Sequence, residues 1–389
     1  MIREGGHPSG AGHPGGRPGH PGGRPAGGAR LDFDQAPFLV IWETTQACDL
    51  ACRHCRAEAV PDRSPNELTT AQAKALMDQV RRFGPIIFVF SGGDCMKRPD
   101  ILELVEYGAQ LGLRIAMTPA ATPLVTPQAL RQLKDAGVAR LGISLDGSCP
   151  LIHDDFRRVS GSFDWAVDIL ASAQSIGMST QVNTVVGRHN LDDFDALCAL
   201  MAPLGIVFWE VFFLVPTGRA RPEDVADAES FEAVFHKLHD LAETAPFDIR
   251  ATAAPHFNRV GIQRRTARRR SAAADAPPAP AADVRIGRRP DGIGRARGVI
   301  EGDGFMFISH TGEVFPSGFL PVSAGNIAFR SPVEIYRNAP LFRQLRDRSL
   351  LKGKCGTCSY RQVCGGSRAR AYAMTGDWLE AEPFCIYEG

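Results

Sequence analysis

Three thiols stand close together near the start of the chain, at Cys48, Cys52 and Cys55. Thiolates with this C-x3-C-x2-C spacing can hold three irons of a [4Fe–4S] cube and leave the fourth iron open to a small ligand. A structural zinc site normally needs four protein ligands, and His54 is the only nearby candidate for the fourth. Buried, inert thiols would be scattered along the chain rather than bunched. The spacing therefore favours an iron–sulfur site with one open iron.

A second group of four cysteines lies near the C-terminus, at Cys355, Cys358, Cys364 and Cys385. The spacing C-x2-C-x5-C-x20-C could close either a zinc site or a fully ligated [4Fe–4S] cluster. An iron–sulfur site upstream favours the cluster, because both sites would be loaded in the same compartment. A cluster with four protein ligands has no open iron, so we expect it to carry electrons rather than to bind substrate.

The elements that position these thiols alternate between short apolar runs and stretches with helical spacing. Apolar runs occur at 38–43, 86–90, 113–117, 139–145, 180–186 and 206–214. Helical spacing follows each run, at 69–82, 99–111, 126–136, 162–176, 191–203 and 229–243. Six βα units in series predict a parallel sheet covered by helices, either an open partial barrel or a doubly wound sheet. In both architectures the chemistry is expected at the carboxyl ends of the strands.

Glycine and polar side chains follow several of the predicted strands. Gly92, Gly93 and Asp94 follow the second strand, Ser144 follows the fourth, and Asn183 lies near the end of the fifth. Adjacent glycines let the backbone approach a ligand closely, and a carboxylate can accept a hydrogen bond from an ammonium group. Any of these side chains could instead satisfy backbone groups at a strand end.

The motif C-x3-C-x2-C after the first strand of a βα series resembles the signature of the radical S-adenosylmethionine (SAM) superfamily. The resemblance implies an α/β fold, a partial (β/α)6 barrel with chemistry at its open end. It also implies that Cys48, Cys52 and Cys55 bind a [4Fe–4S] cluster whose open iron is chelated by SAM. One electron, from an external donor such as flavodoxin or ferredoxin, would then cleave SAM to methionine and a 5′-deoxyadenosyl radical that abstracts hydrogen from substrate. His54 holds the position usually taken by an aromatic residue.

The segment 92–95 resembles the family's Gly-Gly-Glu-Pro motif, which binds the SAM amino group. This sequence departs from that motif twice, with Asp94 in place of Glu and Cys95 in place of Pro. By the same resemblance, Ser144 and Asn183 are candidate SAM contacts. The three cysteines outside the two groups are predicted to be structural: Cys95, Cys149 and Cys198.

Residues 300–389 resemble the SPASM/twitch extension of radical SAM enzymes, through their cysteine spacing and the Gly-Gly-Ser-Arg-Ala-Arg run after Cys364. Many such extensions carry two auxiliary clusters, the first with a Cys from an upstream hairpin, where this chain has Ser317. Four C-terminal thiols suffice for one cluster, so we predict a single auxiliary [4Fe–4S] cluster. The strings at 307–321 and 364–373 look like the branch that acts on haem precursors, which includes the decarboxylase converting iron-coproporphyrin to haem and relatives in haem d1 synthesis.

This resemblance implies an oxidoreductase of the decarboxylase type, which modifies a tetrapyrrole and uses the auxiliary cluster as electron acceptor. Propionate groups require Arg partners. The candidates are Arg157, Arg158, Arg219, Arg368 and Arg370. His310 could ligate a haem iron or simply be exposed. Two alternatives stay open: a SPASM maturase that modifies a ribosomally made precursor peptide, and a non-catalytic zinc or electron-transfer protein.

The total charge of +1 hides a strong asymmetry along the chain. Residues 1–30 carry +3 and residues 262–297 carry +7, so the remaining chain carries −9. Both basic segments are predicted to be disordered, and we interpret them as appendages rather than as nucleic-acid contacts. The catalytic units are then a radical SAM core at 36–250 and the auxiliary cluster domain at 300–389. No apolar run approaches the roughly 20 residues of a membrane span, and no signal peptide is present, so we expect a cytoplasmic enzyme.

Overall fold

A computed structural model describes residues 32–272, 291–293 and 298–388 of the chain. The strands within these residues are β1 (Leu39–Glu43), β2 (Ile87–Ser91), β3 (Arg114–Met117), β4 (Arg140–Ser144), β5 (Ser179–Val186), β6 (Phe208–Phe213), β7 (Asp248–Thr252), β8 (Phe305–Ile308), β9 (Glu313–Phe315) and β10 (Gly325–Asn326). The helices are α1 (Thr70–Val80), α2 (Ile101–Gln110), α3 (Pro127–Asp135), α4 (Pro150–Arg157), α5 (Ser162–Ser175), α6 (Phe194–Met201), α7 (Ala228–Leu241), α8 (His256–Ala272), α9 (Pro332–Asn338), α10 (Pro340–Arg346), α11 (Gly353–Thr357) and α12 (Arg368–Thr375).

All the strands belong to one sheet, in the order β10-β9-β8-β1-β2-β3-β4-β5-β6-β7. Strands β1 to β7 run parallel in chain order, and β8 is parallel to β1 on its other side. The parallel sheet with helical crossovers agrees with the six predicted βα units, and it has two further parallel strands. Strand β7 has no apolar run because each of its residues is half-buried. Strand β8 lies in the predicted auxiliary domain, so the sheet continues across that predicted boundary.

The six predicted helical stretches correspond to α1, α2, α3, α5, α6 and α7. Local capping fixes where these helices begin. Thr69 accepts a hydrogen bond from the Gln72 amide while the Gln72 side chain reaches back to the Thr69 amide, which is a capping box at α1. Thr126 accepts a hydrogen bond from the Ala129 amide at the start of α3, and Pro127 occupies the first turn, where a missing amide costs nothing. No helix in the described part of the chain is long and apolar enough to cross a membrane.

The predicted disordered insertion at 262–297 is corrected at both of its ends. Helix α8 continues to Ala272, because Arg264 and Arg268 on its exposed side pair with acidic residues at the end of α7 and just beyond it. Farther along, Asp291 accepts two hydrogen bonds from Arg140, at 2.9 and 2.8 Å, in a buried ion pair. The predicted tail at 1–30 and most of the insertion lie outside the described residues.

One apolar core joins the sheet to the helices that cover it. Trp42 of β1 contacts Phe90 of β2 with ring centroids 5.8 Å apart, and Phe88 meets Phe90 edge-on at 5.2 Å. Leu76 of α1 and Leu104 of α2 pack into the same cluster. Because β1 and β2 are held by this core, the loops that leave their carboxyl ends start from fixed positions.

Arg370 fastens α12 to the carboxyl ends of two strands. The side chain is fully buried, and its Nη1 donates to both carboxylate oxygens of Glu382 at 3.1 Å. Its Nε donates to the Leu214 carbonyl, and its Nη2 donates to the Phe213 and Ala253 carbonyls. These bonds use all five guanidinium donors. The expectation that Arg370 binds a propionate is therefore wrong.

Arg368 is also fully buried, and its Nη1 donates to the carbonyls of Trp378 and Glu380 at 3.0 and 2.7 Å. These bonds hold the chain that runs from α12 towards Cys385. The expectation that Arg368 binds a propionate is likewise wrong, because its guanidinium is committed to the backbone of its own segment.

We expect Arg370→Leu to lower the free energy of unfolding of the iron-free protein by about 3–5 kcal/mol, because it leaves the Glu382 carboxylate buried without its cation. Chemical denaturation followed by circular dichroism measures this change. Arg330→Leu is the matched control, since its pair with Glu334 is exposed and its loss should cost less than about 1 kcal/mol. Equal losses in the two variants would contradict the assigned role.

Candidate functional site

The loop that leaves β1 brings the three N-terminal thiols together. Cys48 and Cys52 are buried in a small apolar cluster, and Cys55 packs against them. The Leu50 amide donates to Cys48 Sγ at 3.3 Å, and the Ala59 amide donates to Cys55 Sγ at 3.4 Å. Amide hydrogen bonds to sulfur stabilise a thiolate that binds iron. The loop therefore has the donor set that a three-cysteine iron–sulfur site requires.

Cys52, the middle thiol of this group, accepts a hydrogen bond from a buried cation. Arg157 Nη1 donates to Cys52 Sγ at 3.6 Å, and the same guanidinium forms an ion pair with Asp146. Burial alone would raise the pKa of Asp146, but Arg157, two neighbouring histidines and the Val185 amide together outweigh it and lower the pKa to about 2. Arg157 is thus engaged with a cluster ligand and a carboxylate of the chain, which corrects its expected role as a propionate partner.

Burial keeps the Cys48 and Cys52 thiols protonated while no iron is bound. It raises the pKa of Cys48 to about 12, and it also raises the pKa of Cys52 despite the opposing charge of Arg157. A thiol binds iron as the thiolate, so loading the site must release these protons. Binding of a cluster here is therefore coupled to proton release.

Gly92 and Gly93 lie directly against the cysteine loop. The amides of Gly93 and Asp94 donate to the carbonyls of Thr45 and Ala47, at 2.8 and 2.6 Å. A Cβ on Gly92 would stand 2.7 Å from the Thr45 oxygen, and a Cβ on Gly93 would collide with the Ala47 oxygen. The two glycines are therefore required for the backbone of the β2 end to approach the loop that carries the thiols.

The Asp94 side chain is buried beside the same loop and has partners within the chain. One oxygen accepts from Thr122 Oγ1 at 2.9 Å, and the other accepts from the Met96 amide at 3.0 Å. Burial raises the pKa of this carboxyl. Cys95, predicted to be structural, is fully buried in the main core.

Ser144 and Asn183 are direct neighbours across β4 and β5. Asn183 Oδ1 accepts from Gln181 Nε2 at 2.7 Å, and the same nitrogen donates to Glu210 at 3.1 Å. Thr252 Oγ1 donates to the other Glu210 oxygen at 2.6 Å. These side chains form a polar row across β5, β6 and β7 at alternating, half-exposed positions. Sequence reasoning missed Gln181 and Glu210, although both are polar residues in otherwise apolar strands.

His54 stacks on a pair of rings that sequence reasoning did not assign. Its ring lies flat on Phe156 with centroids 4.3 Å apart, and Phe156 lies on His189 at 3.5 Å. Burial lowers the pKa of His54 to about 3, so the ring is neutral at pH 7 and packs as an aromatic group. This agrees with its place at a position that relatives usually fill with an aromatic residue.

Glu43 connects the end of β1 to the cysteine loop and to the β8–β9 hairpin. Its oxygens accept from Arg56 Nη1 at 2.7 Å and from His310 Nδ1 at 2.8 Å. Burial would raise the pKa of Glu43, but Arg56 and His310 hold it below its usual range. His310 is therefore neither exposed nor free to be a ligand through Nδ1. In the same hairpin, Ser317 is buried and accepts from the amide two residues later.

Arg219 is half-buried beside the cysteine loop. Its backbone amide donates to the Cys55 carbonyl at 3.1 Å. Its Nε and Nη2 are buried and have no hydrogen-bond partner in the described ranges of the chain. Arg158, the last of the five predicted arginines, is half exposed in its side chain. Two guanidinium nitrogens of Arg219 are thus available to an anion, on a residue whose backbone is bonded to the cysteine loop.

The four C-terminal thiols line a single cavity: Cys355, Cys358, Cys364 and Cys385. Three of these sulfurs accept backbone hydrogen bonds, from the amides of Glu382, Tyr360 and Gly366 at 3.3 to 3.4 Å. In residues 32–272, 291–293 and 298–388, no group of His, Cys, Asp and Glu side chains is gathered tightly enough for a single metal ion. A cubic cluster binds each thiolate at a different iron, so its ligands surround a space instead of meeting at a point.

Basic and aromatic groups complete the wall of this cavity. Arg259 of α8 lines it, and donates to both oxygens of Glu232 at 2.9 and 2.6 Å. His256, at the start of α8, also lines it and is fully buried. Burial lowers the pKa of His256 to about 3. Neither residue could be assigned from the sequence, because both stand about a hundred positions before the cysteines that they face.

Comparisons with known proteins identify the family. Residues 42–201 match the model of the radical SAM superfamily. The AdoMet-dependent heme synthase of Methanosarcina barkeri is 40% identical over 353 residues, which is 90% of this chain and 97% of that protein. The AdoMet-dependent heme synthase of Nitratidesulfovibrio vulgaris is 40% identical over 355 residues, covering 90% of this chain and 92% of that protein.

Among solved structures, Streptococcus suis SuiB bound to precursor peptide SuiA superimposes with a TM-score of 0.67 at 14% identity, covering 91% of this chain and 76% of SuiB. At that identity the likeness concerns the fold, and it confirms the predicted α/β fold of the radical SAM type. The three-thiol loop at the end of β1 lies within the matched segment. The chain therefore belongs to the radical SAM superfamily of enzymes, and it is related to the AdoMet-dependent heme synthases.

Proposed function

We propose that this enzyme oxidatively decarboxylates propionate side chains of an iron-bearing tetrapyrrole, as its kinship with AdoMet-dependent heme synthases suggests. The observation that carries the proposal is that two guanidinium nitrogens of the half-buried Arg219, Nε and Nη2, are buried without a partner among the described residues, while its backbone amide bonds to the cysteine loop. A propionate carboxylate is an anion of the right chemistry for that group. The substrate side chain loses one hydrogen atom, one carbon dioxide and one electron, which leaves a carbon–carbon double bond.

The residues of the β1 loop fit a SAM-binding [4Fe–4S] cluster. Cys48, Cys52 and Cys55 would be its three protein ligands, buried in apolar surroundings with amide or guanidinium donors to each sulfur. Bound together, the cluster and SAM supply a radical that takes a hydrogen atom from the substrate. The end of β2 fixes the shape of the loop, and Asp94, Ser144 and Asn183 are the proposed SAM contacts.

The C-terminal cavity fits a second, fully ligated [4Fe–4S] cluster with Cys355, Cys358, Cys364 and Cys385 as ligands. The support is that all four thiols line one cavity and that three of them already accept amide hydrogen bonds. Such a cluster would accept the electron that leaves the substrate. An external donor such as flavodoxin or ferredoxin would supply the reducing electron for SAM cleavage, in the cytoplasm.

A peptide maturase is the second candidate, because SuiB has a related fold and was solved with its precursor peptide. That likeness comes at 14% identity and concerns the fold alone, whereas the heme synthases are 40% identical over nine-tenths of the chain. The non-catalytic zinc or electron-transfer alternative does not hold, since the relatives of this chain are enzymes.

Iron content tests the two clusters. After anaerobic reconstitution we expect about eight irons per chain, and about four after either Cys48→Ala or Cys385→Ala. Cys48→Ala should abolish the formation of 5′-deoxyadenosine, whereas Cys385→Ala should spare it and impair product formation. Cys198→Ala, on the half-buried side of α6, is the control and should keep all the iron. Full product formation by the Cys385 variant would contradict the acceptor role.

Substrate identity is tested by incubating the reduced enzyme with SAM and iron-coproporphyrin. We expect release of carbon dioxide and a matching loss of mass from the tetrapyrrole, followed by mass spectrometry. A reaction with reductant but without SAM is the control. If 5′-deoxyadenosine forms and the tetrapyrrole keeps all its carboxyl groups, the proposed reaction is wrong and the peptide alternative gains support.

Arg219→Gln tests how the carboxylate is recognised. Loss of a charge-assisted contact of about 1.5–3 kcal/mol should raise the Kd for iron-coproporphyrin at least about tenfold. Absorbance titration of the tetrapyrrole measures this change. Arg158→Gln is the matched control, because that side chain is half exposed and lies outside the assigned contacts, and it should bind normally. An unchanged Kd in the Arg219 variant would remove this residue from the substrate site.

A further inference from the structure

His256 is a buried imidazole without a hydrogen-bond partner. The residue has no exposed surface, and neither ring nitrogen finds a donor or acceptor among the residues that the structure describes. A buried polar group in this state costs roughly 1–3 kcal/mol, so native proteins rarely leave one unsatisfied. The position therefore indicates a partner other than the described side chains, such as a bound group.

The cavity of the four C-terminal thiols is where that partner must lie, because His256 forms part of its wall. Two charged neighbours in the same wall already have partners. Glu382 accepts from Arg370 and from the Ser367 amide, and Arg259 is paired with Glu232. On its far side the imidazole meets Phe235 edge-on, with centroids 4.6 Å apart. The four sulfurs that line the same cavity are acceptors for an imidazole N–H.

We infer that His256 donates an N–H hydrogen bond to a sulfur of the auxiliary cluster and thereby raises its reduction potential. This inference rests on the proposed auxiliary cluster. Reduction adds negative charge to a cluster and its sulfurs, and a donor aimed at sulfur stabilises that charge more in the reduced state than in the oxidised state. An imidazole has at least one N–H in either protonation state, so the donor is always present.

A hydrogen-bond donor in the cavity wall suits a cluster that accepts an electron. A thiolate-rich cluster carries negative charge, and an additional electron is unfavourable unless nearby groups stabilise it. Arg259 is neutralised by Glu232, and Lys354 donates to the Cys385 carbonyl. His256 is a neutral donor in the wall of the cavity whose ring nitrogens have no partner among the described residues. Its contribution would make the cluster a better acceptor of the electron that the substrate loses.

The test uses the full chain with Cys48→Ala, Cys52→Ala and Cys55→Ala, so that only the auxiliary cluster remains to be observed. In this background His256→Phe should lower the ratio of reduced to oxidised cluster at a fixed potential about tenfold, which corresponds to about 59 mV for one electron. A redox titration followed by electron paramagnetic resonance measures the ratio. Pulsed electron paramagnetic resonance should detect one proton coupling to the cluster that exchanges in D2O, and this coupling should be missing in His256→Phe. His256→Gln restores an N–H donor, so it should recover part of the potential and part of the coupling.

His239→Phe is the matched control. His239 is half-buried where α7 packs on α8, stacks on Phe257 and hydrogen-bonds to the Phe257 carbonyl, but it does not line the cavity. Its replacement should leave the potential and the proton coupling unchanged.

The outcomes separate the inference from the proposal on which it rests. If the triple variant with native His256 does not bind about four irons per chain, the proposed auxiliary cluster is wrong. If the irons are present and His256→Phe changes neither the potential nor the exchangeable proton coupling, the inference about His256 is wrong. Should His256→Phe fail to fold, ¹⁵N-labelled histidine in the triple variant decides instead. A ¹⁵N coupling to the reduced cluster supports the inference, and its absence overturns it.

Discussion

Two backbone hydrogen bonds between the end of β2 and the cysteine loop are the interaction on which the site depends. The amides of Gly93 and Asp94 reach the carbonyls of Thr45 and Ala47, and a Cβ at either neighbouring glycine would push the two segments apart. The loop must hold three thiols around one cluster, so a displacement of about 1 Å would spoil its geometry. The glycine pair therefore serves the cysteine loop first, and any approach to SAM comes in addition to that role.

The C-terminal thiols depend on a different constraint, a single buried cation. Arg370 spends all five donors on Glu382 and on carbonyls at the ends of β6 and β7, so α12 is fastened to the same sheet that carries the β1 loop. The backbone amide of Glu382 in turn donates a hydrogen bond to Cys355 Sγ. One ion pair thus connects the sheet to the cavity wall, and β8 adds a second connection through its pairing with β1.

Local patterns were sufficient to predict the βα series and the two cysteine groups, because each pattern is formed by residues that are close together in the sequence. The half-buried strand β7 and the helical start of the insertion escaped prediction, since no apolar period marks either of them. His256 and Arg259 escaped for another reason. They face the C-terminal cysteines only after the sheet has brought α8 beside them, and nothing in a linear spacing of about a hundred residues signals that contact.

The arginines show most clearly that residue type alone does not predict the role of a side chain. Arg157 and Arg370 are buried and Arg219 is half-buried, and the sequence predicted the same role for all three. What separates them is the carboxylate that the fold places within reach: Asp146 for Arg157, and Glu382 for Arg370. For Arg219 the described chain provides neither a carboxylate nor any other hydrogen-bond partner at Nε and Nη2. Burying unpaired guanidinium nitrogens is costly, and a bound anion would pair them, which is the physical reason for proposing the substrate carboxylate as the partner of Arg219.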